Sequence, residues 1–227
     1  MKSVIFSKAM VLAAPLAMLV AAQAANANLI LNGDFSANAS SYTVSPGQDG
    51  RSGINPASPT DWTGGSNAGI NGSDVGWTSG SKTPNGPASV TGVTDFAFIS
   101  FNDSLRQTFA VTPGATYTVT YLDASRSGSN PIPTLDAYVF DGAVTKVSGS
   151  TQLALNSTTP STSGFNTETF NFTAGTSTTD TLYFTVTGTT NTADFTDVSV
   201  VATPEPAAMG LLGVGAVGLL LVRRRKA

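Results

Sequence analysis

Apolar and polar residues alternate with a period of two along most of the chain after residue 104. In 104–110, for example, Leu105, Gln107 and Phe109 fall on one face. This period is that of a β-strand with one buried and one exposed face. It predicts strands at 104–110, 116–122, 135–140, 143–147, 168–173, 181–187 and 195–201. Because such strands stack as two antiparallel sheets, the fold is predicted to be all-β, an antiparallel β-sandwich.

Two turns are predicted between these strands. Val111-Thr112-Pro113-Gly114 has the proline and glycine of a tight turn, and Asp141-Gly142 is a dipeptide that a type I′ hairpin favours. We expect 135–140 and 143–147 to form that hairpin, and the first and last strands to lie close together. The predicted core contains the inward-facing residues Tyr117, Val119, Tyr121, Phe170, Phe172, Leu182, Phe184 and Val186.

Residues 36–95 are rich in Gly, Ser, Asn and Pro and alternate little, which predicts long ordered loops or short edge strands. The only two tryptophans, Trp62 and Trp77, lie there. A loop tryptophan can stack on a sugar ring, with a short polar residue such as Asn67 beside it. The alternative is that each tryptophan fills one end of the core. Trp62, Asn67 and Trp77 are therefore the candidate ligand-binding residues.

The first 27 residues have the form of a secretory signal peptide. Lys2 and Lys8 supply the positive start, 9–22 carries no charge, and Ala25-Asn26-Ala27 offers the small residues that signal peptidase requires. A buried amphipathic helix would need a polar face, which 9–22 lacks. The sequence predicts an N-terminal signal helix at 1–27, with the mature chain starting at Asn28.

The last residues, 204–227, predict a membrane segment. Pro204-Glu205-Pro206 precedes sixteen uncharged residues, 207–222, and a basic tail made of Arg223, Arg224, Arg225 and Lys226. Sixteen residues are slightly fewer than the ~20 of an untilted span, and basic side chains that reach the headgroups extend it. We expect a C-terminal transmembrane helix with its tail in the cytoplasm and the body, 28–203, outside. The prolines keep Glu205 in extended backbone that an enzyme can reach.

Composition excludes several kinds of chemistry. The chain has no Cys and no His, which excludes disulfides, metal sites built on thiolate or imidazole, and nucleophiles activated by His. The body carries five basic and thirteen acidic residues, a net charge of −8, because six of the eleven basic residues lie in the terminal segments. Such a surface does not bind nucleic acid by neutralising phosphates.

Twelve of the thirteen body carboxylates are aspartates, and Glu168 is the exception. A glycosidase needs two opposed carboxylates, one with a raised pKa, whereas most of these aspartates stand in predicted turns; no enzymatic activity is predicted. The sequence has no calcium loop of the D-x-D-x-D-G type. If the two ends of the body are neighbours, Asp34, Asp194 and Asp197 could converge on a structural calcium ion. Solvated turn aspartates are the alternative, and no other cofactor is predicted.

The C-terminal pattern resembles the PEP-CTERM sorting signal of Gram-negative bacteria. Pro204-Glu205-Pro206, a short glycine-rich apolar stretch and a terminal arginine cluster occur in that order over 204–226. The resemblance implies that Pro204, Glu205 and Pro206 are recognised by an exosortase, a membrane transpeptidase-like enzyme, with membrane anchoring first and cleavage later. A plain membrane anchor is the alternative.

The body resembles the galactose-binding-like jelly roll in several short segments. They include 28–35 (NLILNGDF), 105–109 (LRQTF) and 195–200 (FTDVSV). Many domains of that kind bind carbohydrate, and the resemblance implies a jelly roll over most of 28–201. Ser36 and Thr196 stand where that family often has acidic residues, which removes two carboxylates that could bind a structural calcium ion.

These predictions divide the chain into a signal peptide (1–27), an exported β-sandwich (28–203) and a sorting segment (204–227). The function that follows is that of an exported cell-surface or extracellular-matrix protein whose body contacts polysaccharide without catalysis. Its predicted partners are signal peptidase, an exosortase, the membrane and polysaccharide. A structural or adhesive surface protein that binds no glycan is the alternative, and an anchored hydrolase is the third class.

Overall fold

The computed structural model of the chain describes residues 27–37, 59–64, 68–72, 91–93, 95–99, 103–126, 131–187 and 192–203. Ten strands lie within these residues. They are β1 (Thr63–Gly64), β2 (Ala68–Gly72), β3 (Asp95–Ile99), β4 (Ser104–Ala110), β5 (Thr116–Ser125), β6 (Thr134–Asp141), β7 (Gln152–Thr158), β8 (Asn166–Thr173), β9 (Thr179–Thr187) and β10 (Ala193–Ala202).

The strands form two five-stranded sheets. Sheet 1 has the order β1-β4-β9-β6-β7, and sheet 2 has the order β2-β3-β10-β5-β8. The strand pairs described in both sheets are antiparallel. The prediction of an all-β fold with two antiparallel sheets is therefore confirmed for the part of the chain that the structure describes. β1 and β2 are short and lie at the outer edges of their sheets, as expected for that part of 36–95.

The alternating pattern of the sequence forms the strand ladders as predicted. Leu105 on β4 lies opposite Phe184 on β9, and both side chains are fully buried, whereas Thr108 on the other face of β4 is exposed. Burying a side chain of this size contributes about 1.5–3 kcal/mol. Six of the seven predicted strands are confirmed as β4, β5, β6, β8, β9 and β10, and β5 extends three residues further, to Ser125.

Aromatic rings from both sheets meet in one core. Phe184 of sheet 1 stacks on Phe195 of sheet 2 with ring centroids 4.1 Å apart, and it meets the edge of Tyr121 at 5.1 Å. Of the eight predicted core residues, seven are buried. The exception is Phe170, which is half-buried and contacts Tyr121 at 6.5 Å.

The predicted hairpin at Asp141-Gly142 is wrong. Residues 143–147 form no strand; β6 pairs instead with β7, which begins eleven residues after β6 ends. The Asp141 N–H donates to the Thr151 carbonyl at 3.0 Å, and the Gly142 N–H donates to the Thr179 carbonyl at 2.9 Å. Gly142 does have a positive φ of 82°, but its amide bonds to β9 rather than closing a two-residue turn.

The start of the body lies beside its last strand. The Leu29 N–H donates to the Val200 carbonyl at 2.9 Å, and the Val198 N–H donates to the Gly33 carbonyl at 3.0 Å. Gly33 must be glycine, because a Cβ there would collide with the Val198 carbonyl oxygen. The first segment of the body, 28–33, thus lies beside the last strand, β10, but it has no regular strand structure. The first strand, β1, belongs to the other sheet.

The two predicted terminal helices fall outside the described residues. Residues Asn28–Val200 form one compact unit. The second unit consists of Met1–Ala27 and Val201–Ala227, of which only residues 27 and 201–203 are described. Within the described ranges, the structure contains no helix of the length and hydropathy needed to span a bilayer.

Candidate functional site

Trp62 belongs to the core and not to a ligand surface. Its side chain is 4% exposed and packs against the rings of Phe35 at 5.5 Å and Phe195 at 5.9 Å. The indole Nε1 donates to the Asn32 carbonyl at 3.2 Å. A ring enclosed in this way cannot stack on a sugar, so the core alternative holds for Trp62. Asn67 and Trp77, the other two candidates, lie outside the described residues.

A polar cleft opens where the loop between β7 and β8 meets the end of sheet 2. We call it the loop cleft; its volume is about 250 Å³. The cleft is lined by Thr91, Ser161, Ser163, Gly164, Phe165 and Asn166. Hydroxyl groups, one amide and one aromatic ring thus surround a space large enough for a small polar ligand.

Hydrogen bonds hold the loop in place. The Ser125 N–H, at the end of β5, donates to the Ser161 carbonyl at 2.7 Å. Within the loop, the Ser161 and Ser163 hydroxyls lie 2.8 Å apart, and the Ser163 N–H donates to the Ser161 hydroxyl at 3.2 Å. The Ser161 and Ser163 hydroxyls are therefore held in place relative to sheet 2.

Phe165 connects the loop cleft to the core. Its ring lies edge-on to that of Phe96 at 5.4 Å, and Phe96 is fully buried. Phe165 itself is only half-buried, so part of its ring remains accessible on the cleft side. An aromatic face beside fixed hydroxyls suits the C–H face and the hydroxyl groups of a sugar. The sequence does not predict this site; the only local signal is a serine-rich loop that ends in an aromatic residue.

Asp123 is the carboxyl that lies next to the loop cleft on sheet 2, opposite Asn166. Its side chain is 1% exposed, and Oδ2 accepts a hydrogen bond from the Thr158 hydroxyl. The pKa of Asp123 is raised to about 6: burial raises it, the Thr158 hydrogen bond lowers it, and the charge of Glu168 raises it. Because Asp123 is enclosed, it offers no accessible acid to a ligand in the cleft.

The structure brings together two of the three calcium candidates. Burial raises the pKa of Asp197, and the charge of Asp34 adds to this, which shows that the two carboxyls are neighbours. Asp194, by contrast, is fully buried with neither carboxylate oxygen hydrogen-bonded, and Arg126 is the charge that acts on it. Among the described residues, no group of three or more acidic side chains is arranged to hold a metal ion.

The sorting residues Pro204, Glu205 and Pro206 and the basic tail Arg223–Lys226 lie outside the described residues. The sequence there matches a known family model, described as the PEP-CTERM protein-sorting motif, over residues 202–226. This chain carries a PEP-CTERM sorting signal. The match covers the C-terminal segment alone, and no curated protein sequence matches the chain.

Several solved structures are similar to the body at low sequence identity. "TmCBM61 in complex with beta-1,4-galactotriose" is 10% identical with a TM-score of 0.46, over 78% of this chain and 99% of that one. The "CBM22-1 xylan-binding domain from Paenibacillus barcinonensis Xyn10C" is 8% identical with a TM-score of 0.45, over 66% and 90%. A "putative sugar binding protein from Bacteroides thetaiotaomicron" is 9% identical with a TM-score of 0.44, over 78% and 100%. Similarity at this level is no basis for assigning a ligand.

Proposed function

We propose that the chain is an exported, non-enzymatic cell-surface or extracellular-matrix protein that is sorted through its PEP-CTERM signal and contacts polysaccharide through its body. The match over 202–226 is the observation that supports this most strongly. A sorting signal of this kind presupposes export, which agrees with the signal peptide predicted at 1–27. In this proposal Pro204, Glu205 and Pro206 are bound by the exosortase while 207–222 holds the chain in the membrane.

The body is proposed to be a jelly-roll sandwich over 28–203. The strand orders support this: β3-β10-β5-β8 in sheet 2 and β4-β9-β6-β7 in sheet 1 are the two four-stranded halves of an eight-stranded jelly roll. The ring contacts between the sheets, such as Phe184 on Phe195, support face-to-face packing. β1 and β2 then extend the two sheets at their edges.

The loop cleft is the proposed point of polysaccharide contact. It presents the half-exposed ring of Phe165 and the amide of Asn166 together with the serine hydroxyls. Two or three net hydrogen bonds at about 0.5–1.5 kcal/mol each, with one stacking contact, support only micromolar to millimolar affinity. Many copies at one surface raise the effective affinity without new contacts. Asn67 and Trp77 remain proposed additions to this surface.

Retention of the exported full-length protein on a glycan array tests this function. Phe165→Leu keeps an apolar contact with Phe96 but lacks a flat ring, and it should lower retention about fivefold, the loss of about 1 kcal/mol. Leu155→Ala is the matched control, because Leu155 is 41% exposed on β7 outside the cleft; it should retain full binding. Trp77→Ala, measured in parallel, reports on the second candidate surface.

If the wild-type protein binds no glycan even at millimolar concentration, the structural or adhesive class replaces the polysaccharide proposal. If glycan binding is strong but Phe165→Leu and Leu155→Ala retain it equally, the contact lies elsewhere and the loop cleft is not the site.

A further inference from the structure

Two aspartates face each other at the end of the ladder between β6 and β9. Asp141 and Asp180 are register partners, one step of two residues beyond Val139 and Leu182. Val139 and Leu182 are fully buried core residues. Because alternate residues of a strand share a face, both carboxyls lie on the inner side of sheet 1. Like charges placed directly opposite each other destabilise a sheet, so this pair calls for an explanation.

Asp141 carries a fixed negative charge. Its Oδ1 accepts a hydrogen bond from the Ser177 N–H at 3.0 Å, and its Oδ2 accepts from the Thr176 N–H at 3.2 Å. Bonds from Ser177 first, and then from Thr176, lower the pKa of Asp141. A Cβ at Gly175 would collide with this carboxylate, so glycine lets the loop between β8 and β9 close over it.

Asp180 is buried beside that charge with no hydrogen bond to its carboxylate. Its side chain is 0% exposed, and neither carboxylate oxygen has a hydrogen-bond partner. The nearby Gly142 N–H lowers the pKa of Asp180. This N–H donates its hydrogen bond to the Thr179 carbonyl rather than to the carboxylate. Burial and the Asp141 charge both raise the pKa of Asp180. A buried carboxylate without a partner costs several kcal/mol unless another group neutralises it.

We propose that Asp141 and Asp180 together bind a divalent cation, Ca²⁺, at the edge of the core. Calcium takes carboxylate oxygens and completes its shell with backbone carbonyls and water. Asp180 offers two oxygens that have no hydrogen-bond partner. Asp141 offers a carboxylate that hydrogen bonds already hold in place. One ion therefore neutralises the charges of both carboxylates. Mg²⁺ fits less well because it keeps its waters and demands octahedral geometry.

The setting agrees with a weak extracellular calcium site. Extracellular modules bind Ca²⁺ with dissociation constants of about 10⁻⁴–10⁻³ M, which suits a site with two carboxylates. The pair is also separate from Asp34 and Asp197, because the charge that acts on Asp180 is that of Asp141, whereas the charge that acts on Asp197 is that of Asp34. The two acidic pairs can therefore be tested independently.

The test uses the full-length protein in detergent, stripped with EDTA and then titrated with CaCl₂ or MgCl₂ from 0.1 to 10 mM. Calcium should raise the Tm of the wild type by several degrees, and magnesium should raise it less. Asp180→Asn should melt higher than the wild type in EDTA and should show no calcium-dependent rise. The matched variant Asp197→Asn removes a carboxylate of the other acidic pair and should keep the calcium-dependent rise.

Equilibrium dialysis with radioactive calcium measures the same site directly. The wild type should bind at least one ion at 10 mM, and Asp180→Asn should bind one ion fewer. If Asp180→Asn does not fold, Asp141→Asn replaces it and must lose the same ion. A wild type that binds no calcium, or an Asp180→Asn or Asp141→Asn protein that binds as much as the wild type, overturns the proposal. A higher Tm for Asp180→Asn with no calcium effect on the wild type also overturns it, because the buried carboxyl is then neutralised by a proton alone.

Discussion

At the scale of single residues, three buried aspartates of the body have a raised pKa. Asp123 and Asp180 are 1% and 0% exposed, and burial raises the pKa of each from 3.8 to about 6. Asp194 is fully buried as well, and its pKa is also raised by burial. Each of these residues lies one position outside a strand predicted from alternation, and the structure places it near an end of β5, β9 or β10. The sequence does not reveal that they are enclosed, because an aspartate counts as a polar residue in any periodic pattern.

Substituting Asp123 should make stability less dependent on pH. The folded state keeps a proton on Asp123 up to about pH 6, whereas the unfolded chain releases it near 3.8. The stabilisation is therefore fully present below about pH 4 and is lost as the pH rises through 6. In melts between pH 4 and 8 with EDTA, the Tm of Asp123→Asn minus that of the wild type should increase with pH. A difference that stays constant over this range would contradict the raised pKa.

The two tryptophans give a second test at this scale. Trp62→Ala removes a buried ring and should cost about 3–5 kcal/mol of unfolding free energy. Glycan retention per folded molecule should not change, because the Trp62 ring is buried among core rings and its indole N–H is bonded to the Asn32 carbonyl. Trp77→Ala should instead lower retention while its Tm barely moves, if Trp77 belongs to a ligand surface. Denaturant melts and glycan-array retention on both variants decide this; unchanged stability in Trp62→Ala would refute its place in the core.

At the scale of strands, the sequence predicts those elements that have one buried and one exposed face. Every residue of β3 is buried, so its five residues carry no alternation to detect. β7 has no fully buried residue, so its sequence also lacks a clear alternation of apolar and polar positions. The error at 143–147 arose because Asp141-Gly142 satisfied a turn rule, while the actual bonds of both residues go to partners distant in sequence.

A substitution in the ladder between β4 and β9 should have a large effect on stability. Phe184 is fully buried and contacts Phe195, Tyr121 and Trp62. Phe184→Ala should therefore lower the unfolding free energy by about 3–5 kcal/mol in urea or thermal unfolding. Leu155→Ala on edge strand β7 is the control, with an expected loss below about 1 kcal/mol. Equal losses in the two variants would exclude a core shared by both sheets at Phe184.

At the scale of the whole molecule, sequence and structure contribute different parts of the account. The sorting signal is a linear motif, so the sequence alone identifies it, and the family match over 202–226 agrees. The loop cleft combines Thr91 with residues 161–166. No local pattern connects segments so far apart, so this site becomes visible only once the loop between β7 and β8 lies against sheet 2.

The predicted role of Glu205 belongs to this scale. Glu205→Ala leaves the apolar stretch 207–222 unchanged, so membrane insertion should be as efficient as in the wild type. Processing should be impaired, because the recognised motif is altered. Carbonate extraction of membranes measures insertion, and the ratio of precursor to processed protein on a gel measures processing. Equal processing of the variant and the wild type would show that Glu205 is not part of the recognition site.

Mass spectrometry of the mature protein from a host that has an exosortase tests the central claim, that this chain is exported and sorted through its C-terminal signal. We predict a mature chain that begins near Asn28 and lacks the peptide Arg223–Ala227. The same protein from a host without the exosortase should retain that peptide. Intact Arg223–Ala227 on all mature protein from the exosortase-bearing host would contradict the account and leave 204–227 as a plain membrane anchor.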